Sequence, residues 1–105
     1  MPAYAIAHLH AIRPGPELVE YLRQIDATLT RYGGRFLVHG GAQDALEGPS
    51  DAMAVIVEFA DLAAVRTWYD SPEYQAIRAL RTGNSSSVMI AAPACPADHR
   101  AIDIL

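Results

Sequence analysis

Three histidines, one arginine and one glutamate occupy alternating positions of three predicted strands, and they are the side chains best suited to chemistry. His8 and His10 share one face of the first strand, because successive side chains of a strand point to opposite sides. The same alternation places Arg35 and His39 on one face of the second strand, and Glu58 on the corresponding face of the third. The pattern predicts that all five side chains meet on one concave surface.

These residue types are suited to moving a proton. A histidine titrates near neutral pH, and a nearby carboxylate can fix its tautomer and raise its basicity. We therefore expect the catalytic residues to be His39, His8 and Glu58, acting on a small carbonyl or lactone substrate. Arg35 is expected to hold a carboxylate or enolate of that substrate through two parallel hydrogen bonds.

Further ligand contacts are expected from His10, which shares the histidine face, and from Tyr32, at the end of a predicted helix. Tyr32 has two interpretations: it reaches the mouth of the pocket, or it packs in the core. Trp68, Tyr69 and Tyr74, at helical spacing, are interpreted as core residues, as aromatic side chains on an apolar helix face usually are.

Two other interpretations of the polar face are open. Arg35 and Glu58 can form a structural salt bridge, and the histidines then serve only as hydrogen-bonding partners. Alternatively, His8 and His10 lie about 7 Å apart along their strand. Together with Glu58 or His39 they can form a zinc or iron site. The leading interpretation requires neither a metal nor any other cofactor.

The composition restricts the function classes. The chain has 105 residues and a net charge of −4, which argues against a nucleic-acid partner, because such a surface needs clustered positive charge. All eight basic residues are arginine, so Schiff-base chemistry on a lysine is excluded. The single cysteine, Cys95, cannot form an internal disulfide. With no membrane-length apolar run and no signal-peptide pattern, we expect a bacterial cytoplasmic protein without a membrane partner.

The elements that position these residues follow the order β-α-β-β-α-β. The predicted strands are 4–12, 35–39, 52–59 and 86–92. The first helix starts at Pro16, carries an apolar stripe with spacings of three and four residues, and ends at Gly33. The second helical region starts at Asp61 and restarts at Ser71, both of which are typical N-cap residues.

This order predicts a ferredoxin-like α+β domain over residues 1–92, with a four-stranded antiparallel sheet and both helical regions on one face. Residues 93–105 are interpreted as a C-terminal tail. The uncovered sheet face is expected to be apolar, with Ile6, Leu37, Ile56 and either Met89 or Val88. Because an exposed apolar sheet is a partner-binding surface, we expect a second copy to pack on it and close a barrel.

Five short sequence motifs also point to this fold, because they resemble those of a known family. In chain order they are Tyr32-Gly33-Gly34-Arg35-Phe36, Gly40-Gly41, Leu46-Glu47-Gly48, Val57-Glu58-Phe59 and Trp68-Tyr69-Asp70-Ser71-Pro72-Glu73-Tyr74. Together they resemble the bacterial family catalogued as domain of unknown function 1330, from about Tyr4 to Ala92. The resemblance implies a dimeric α+β barrel and a homodimer. It implies no reaction, since the superfamily ranges from cofactor-free monooxygenases to lactone isomerases and haem-handling proteins.

The leading hypothesis is a homodimeric barrel that binds a small organic molecule in its lumen, at His8, His39, Arg35 and Glu58. The activity expected there is proton transfer or oxidation without a cofactor. One alternative is a non-enzymatic dimer whose interior is filled. The other is a metal-binding barrel that uses His8, His10 and His39.

Overall fold

The computed structural model describes all 105 residues. The elements are β1 (Ala3–His10), α1 (Pro16–Tyr32), β2 (Arg35–Val38), β3 (Met53–Phe59), α2 (Leu62–Tyr69), α3 (Pro72–Thr82), β4 (Ser86–Pro93) and a short 3-10 helix (Ala101–Ile104). The strands form one antiparallel sheet in the order β2-β3-β1-β4. The predicted ferredoxin-like α+β fold is confirmed. None of the helices combines the length and the apolar character that a membrane span requires.

The end of α1 depends on two glycines. Gly33 has a φ of 77°, a left-handed conformation that costs a residue with a side chain free energy. The next amide, that of Gly34, donates to the carbonyl of Leu29 at 2.9 Å and completes the cap. A Cβ on Gly34 would lie 2.8 Å from the ring of Phe59. Glycine is therefore required at Gly33 by conformation and at Gly34 by close packing.

The second helical region is two helices, each started by a side-chain cap. The Asp61 carboxylate accepts a hydrogen bond from the Ala64 amide at 2.8 Å, and α2 follows. The Ser71 hydroxyl accepts from the Tyr74 amide at 3.1 Å, and α3 follows with Pro72 at its first position. Both predicted caps are confirmed.

The core lies between the three helices and one face of the sheet. On β1 that face carries three alanines followed by a leucine, and Ala3, Ala5, Ala7 and Leu9 are all buried. Large aromatic side chains fill much of the space that these alanines leave. Trp68 and Tyr74 are fully buried, and their ring centroids lie 4.2 Å apart. Their predicted place in the core is confirmed.

The opposite face of the sheet has an apolar centre and no helix over it; we call it the open face. Ile6 pairs with Ile56 on one side and with Ile90 on the other, so one row of isoleucines crosses three strands. Ile90 is 58% exposed and Val88 64% exposed. Of the two residues considered for this face, Val88 lies on it, opposite His8. Met89 points toward the helices.

One irregularity decides which way the end of β2 faces. Phe36 pairs with Val57, but Val38 pairs with Ile56, so two steps on β2 correspond to one step on β3. Leu37 is the extra residue of a β-bulge, and every residue after it changes face. Strict alternation would place Val38 on the helix-covered face with Phe36, but the bulge turns Val38 to the other face of the sheet.

The C-terminal tail packs little against the domain. After β4 ends at Pro93, the amide of Ala94 still donates to the carbonyl of Pro2 at 2.9 Å. Beyond that bond the chain is exposed, and the apolar side chains of Ile102 and Ile104 have 62% and 82% of their surface in solvent.

Candidate functional site

A cavity of about 340 Å³ lies between α1 and the helix-covered face of the sheet. Of its 17 lining residues, 14 are hydrophobic. The sheet contributes Ala5, Ala7, Leu9, Phe36, Met53, Val55, Val57 and Met89. The helices contribute Leu18, Tyr21, Leu22, Ile25, Trp68 and Arg81, and Ile12, His39 and Gly40 complete the lining.

The small residues of β1 explain why this space is empty. Protein cores are normally packed as densely as organic crystals. Ala5 and Ala7 each present a single methyl group to α1, at positions where a leucine or isoleucine would fill the gap. The cavity is therefore determined by the alternation of alanine along β1.

Only a few polar groups face this cavity, and one of them is the phenol of Tyr21. Its hydroxyl lies 2.9 Å from the hydroxyl of Tyr74. Burial is the main reason why the pKa of Tyr21 is far above its ordinary value, and the neighbouring Tyr74 raises it further. Arg81 lowers this pKa, but by less. Tyr21 consequently remains a neutral phenol at physiological pH, and it can donate a hydrogen bond but cannot act as a base.

The second polar group is Arg81, which is only 5% exposed. Its Nε donates to the Tyr74 hydroxyl at 3.3 Å, and its Nη1 donates to the Ser87 hydroxyl at 2.7 Å. Burial opposes the charged guanidinium, but Tyr74 and Tyr21 outweigh that effect and the pKa of Arg81 is raised. The cavity wall therefore carries one permanent positive charge.

The third polar group is His39, and its position corrects an expectation. The imidazole stacks on the ring of Phe36, with centroids 4.3 Å apart and planes 19° apart. His39 is exposed and also lines the cavity, so it lies at the cavity mouth. The prediction that it faces the same side as His8 and Glu58 is wrong, because the bulge at Leu37 turns it to the helix side.

The remaining polar residues stay on the open face, but they do not converge. Arg35 donates to the Glu58 carboxylate at 2.9 Å, so the salt bridge considered as an alternative is present. His8 is opposite Ala54, four residues before Glu58 on β3. Four strand residues correspond to about 13 Å. The predicted catalytic group of His39, His8 and Glu58 is thus divided between two faces and two ends of the sheet.

The two β1 histidines form a loose pair at the edge of the open face. The ring centroids of His8 and His10 lie 6.2 Å apart, and the buried Nδ1 of His10 has no hydrogen-bond partner. No group of three or more His, Cys, Asp or Glu side chains has an arrangement suited to a metal ion. The alternative metal set of His8, His10 and His39 is wrong because His39 faces the other side.

Tyr32, the remaining predicted ligand contact, joins two helices instead of lining the cavity. Its hydroxyl donates to the Glu73 carboxylate at 2.8 Å, and Arg31 lies 3.3 Å from the same carboxylate. The pKa of Glu73 is lowered, and the hydrogen bond from Tyr32 is the largest cause. Glu73 therefore links the end of α1 to the start of α3.

Glu73→Gln should change how stability depends on pH. A carboxyl whose pKa is lowered by folding stabilises the protein above its unfolded pKa, and this contribution is lost as the pH falls through the folded pKa. We expect the variant to lose stability relative to wild type at pH 7, and the difference to shrink below about pH 4. Urea unfolding at a series of pH values measures this, and a pH-independent difference would contradict it. Glu47→Gln, in an exposed loop, is the control.

Tyr21 and Arg81 were not among the predicted site residues, although the sequence contains a signal for each. Tyr74, Ile77 and Arg81 follow at spacings of three and four residues, so Arg81 lies on the buried face of α3. A charged residue inside an apolar stripe is the pattern that identifies it. Tyr21 likewise belongs to the buried face of α1, as a polar group within an apolar stripe.

The fold is similar to that of several solved structures, of which three are described. The first is a protein of unknown function from Rhodopseudomonas palustris, with 21% identity, a TM-score of 0.62, and coverage of 90% of this chain and 84% of that one. The second is SnoaB, a cofactor-independent oxygenase from Streptomyces nogalater, with 15% identity, a TM-score of 0.64, and coverage of 94% and 98%. The third is a dimeric ferredoxin-like protein of unknown function from Jannaschia sp. CCS1, with 13% identity, a TM-score of 0.66, and coverage of 90% and 100%.

At these identities the likeness shows the fold alone. A comparison with curated proteins finds no match. A family model does match, and it covers residues 2–95, which is nearly the whole folded domain and includes the motifs between Tyr32 and Tyr74. The chain therefore belongs to the DUF1330 family, a family of domains of unknown function.

Proposed function

We propose that this protein binds a small, largely apolar organic molecule in the cavity between α1 and the sheet. The supporting observation is the cavity itself, with about 340 Å³ of space and 14 hydrophobic residues among its 17. Small-molecule sites are concave and mostly apolar, with a few polar groups and volumes from about 300 Å³ upward. The proposed site keeps His39 and leaves out His8, Arg35 and Glu58, which lie on the other side of the sheet.

The binding proposal is tested by filling the cavity. Ala7→Phe places a ring where β1 now leaves space, so we expect it to weaken binding of 2-naphthamide at least about tenfold. Ala27→Phe, on the exposed side of α1, is the matched control and should bind as wild type does. Chemical-shift titration measures both affinities, and circular dichroism checks that each variant folds. Absence of saturable binding to the wild-type protein, or equal binding by the Ala7 variant, would contradict the proposal.

A second candidate function, catalysis of proton transfer without a cofactor, is favoured by the position of His39. It is the only imidazole that lines the cavity, and the other two polar side chains there cannot accept a proton, because Tyr21 stays protonated and Arg81 stays charged. A cofactor-independent oxygenase, SnoaB, has the same fold, which is compatible with such chemistry but does not assign it.

His39→Gln separates catalysis from binding. We expect the wild-type protein to accelerate exchange of the methyl protons of 2-acetylnaphthalene in D₂O, with His39 contributing about 10²-fold or more. The variant should bind the ketone with unchanged affinity and lose the acceleration. Proton NMR follows both properties in one sample. Equal exchange rates in the two proteins would remove His39 as a catalytic residue.

We also propose that two copies associate through the open face. Ile6, Ile56 and Ile90 form an apolar row across three strands, and Leu37 and Val88 add exposed apolar surface beside it. Large apolar patches of this kind are rarely left in water. The dimeric ferredoxin-like protein from Jannaschia sp. CCS1 shares the fold. In such a dimer the ligand cavities lie on the outer side of each sheet, so each copy holds its own site.

A further inference from the structure

The most unusual group around the cavity is the buried charge of Arg81. A guanidinium that is 5% exposed normally has a carboxylate partner, because removing a charge from water costs several kcal/mol unless an opposite charge compensates. Here the hydrogen-bonding neighbours are neutral hydroxyls, those of Tyr74 and Ser87 together with that of Tyr21. The three ion pairs of the chain use other arginines: Arg31, Arg35 and Arg66.

The guanidinium also has unused hydrogen-bonding capacity. The guanidinium has more N–H donors than nearby acceptors, since its neighbours are only the neutral hydroxyls of Tyr74, Ser87 and Tyr21. None of its nitrogens is enclosed without a partner, because the only such side-chain atom of the chain is Nδ1 of His10. Because Arg81 lines the cavity, we take its remaining donor capacity to be available to a bound molecule. Tyr21, whose hydroxyl is within hydrogen-bonding distance of Tyr74 in the same network, adds a neutral phenol to the same wall.

From this geometry we infer that the ligand is an organic acid: an apolar body with one anionic group, a carboxylate or an enolate, that pairs with Arg81. This inference rests on the proposed binding function and specifies its ligand class. A single anionic group matches the single cation of the cavity. The apolar lining has no other charged group that would accommodate a second.

The fold also indicates how such a ligand lies. Arg81 contacts Ser87 of β4, and His39 follows β2, so the two residues are at opposite edges of the four-stranded sheet. Three strand spacings separate those edges, about 14 Å between backbones. The acidic group is therefore held at the β4 side, and the far end of the apolar body extends across β1 and β3 toward the imidazole at the mouth.

The test compares two probes of nearly equal shape, 2-naphthoate and 2-naphthamide, by isothermal titration of the wild-type protein. A charge-assisted hydrogen bond in a buried site should make the acid bind about 10- to 100-fold more tightly than the amide. Arg81→Met should remove that preference, because the acid loses a charge-assisted hydrogen bond whereas the amide loses only a weaker neutral one. Arg81→Lys, which keeps the charge, should restore part of it, and Arg23→Met on the exposed side of α1 should leave it intact.

The outcomes are distinguishable. If the acid and the amide bind wild type equally well, the inferred ligand class is wrong while the binding proposal stands. If neither probe binds, the binding proposal fails and the inference fails with it. A preference for the acid that survives unchanged in Arg81→Met would assign the anion to another place and overturn the inference. The wild-type comparison is decisive even if the Arg81 variants fold poorly.

Discussion

Ile90→Asp should convert the protein from a dimer to a folded monomer. In the single chain Ile90 is 58% exposed, so an aspartate there is hydrated and leaves the fold intact. In a dimer that is closed through the open face, the same carboxylate would be buried against the isoleucine row without a partner. Burying an unpaired charge costs several kcal/mol, which is enough to shift a micromolar dimer to monomer.

Light scattering over a range of protein concentrations measures this effect. Val19→Asp is the matched control, because Val19 is 46% exposed on α1, away from the open face, and its variant should keep the wild-type mass. A wild-type protein that is monomeric at high micromolar concentration would contradict the dimer. An unchanged mass for the Ile90 variant would place the interface elsewhere.

Trp68→Ala should give the largest loss of stability of any single change considered. Trp68 is 1% exposed, packs against Phe59 and Tyr74, and donates from its indole nitrogen to the Thr28 hydroxyl at 3.0 Å. Truncation of a large buried aromatic costs about 3–5 kcal/mol, because the lost contacts leave a new void. Here the void joins the existing cavity instead of collapsing, so we expect a value near the upper end.

Trp68→Phe separates packing from the hydrogen bond. Phenylalanine keeps an aromatic ring in the core but cannot donate to Thr28, and we expect it to cost about 1–2 kcal/mol. Unfolding is followed by circular dichroism at a fixed protein concentration, because Trp68 is the only tryptophan and its removal abolishes the fluorescence signal. A loss below about 1 kcal/mol for the alanine variant would show that the aromatic cluster contributes little.

The fold could be predicted from the sequence because its signals are local and agree with one another. Pro16 and Gly33 mark the start and the end of α1. Asp61 and Ser71 start α2 and α3. In each case the type of one residue is enough to predict the boundary. Strand alternation likewise predicted that Ile6 and Ile56 lie together on the uncovered face of the sheet. These patterns need no knowledge of distant contacts.

The site was harder to predict because it depends on non-local features. Strict alternation along β2 places His39 beside His8, and only the pairing of Phe36 and Val38 with β3 reveals the bulge at Leu37. The bulge also precedes the Gly40-Gly41 pair, so no glycine marks its position in the sequence. The position of Arg81 in the cavity wall likewise depends on how α3 lies over β4, which periodicity does not encode.

The place of Trp68 at the cavity wall gives the protein a built-in optical reporter. A molecule that enters the space lined by Tyr21 and Met89 comes to rest beside the only indole of the chain. Its arrival changes the polarity and the quenching environment of that ring, so occupancy can be read from intrinsic emission without any label. Libraries of unmodified compounds can therefore be screened directly against the wild-type protein.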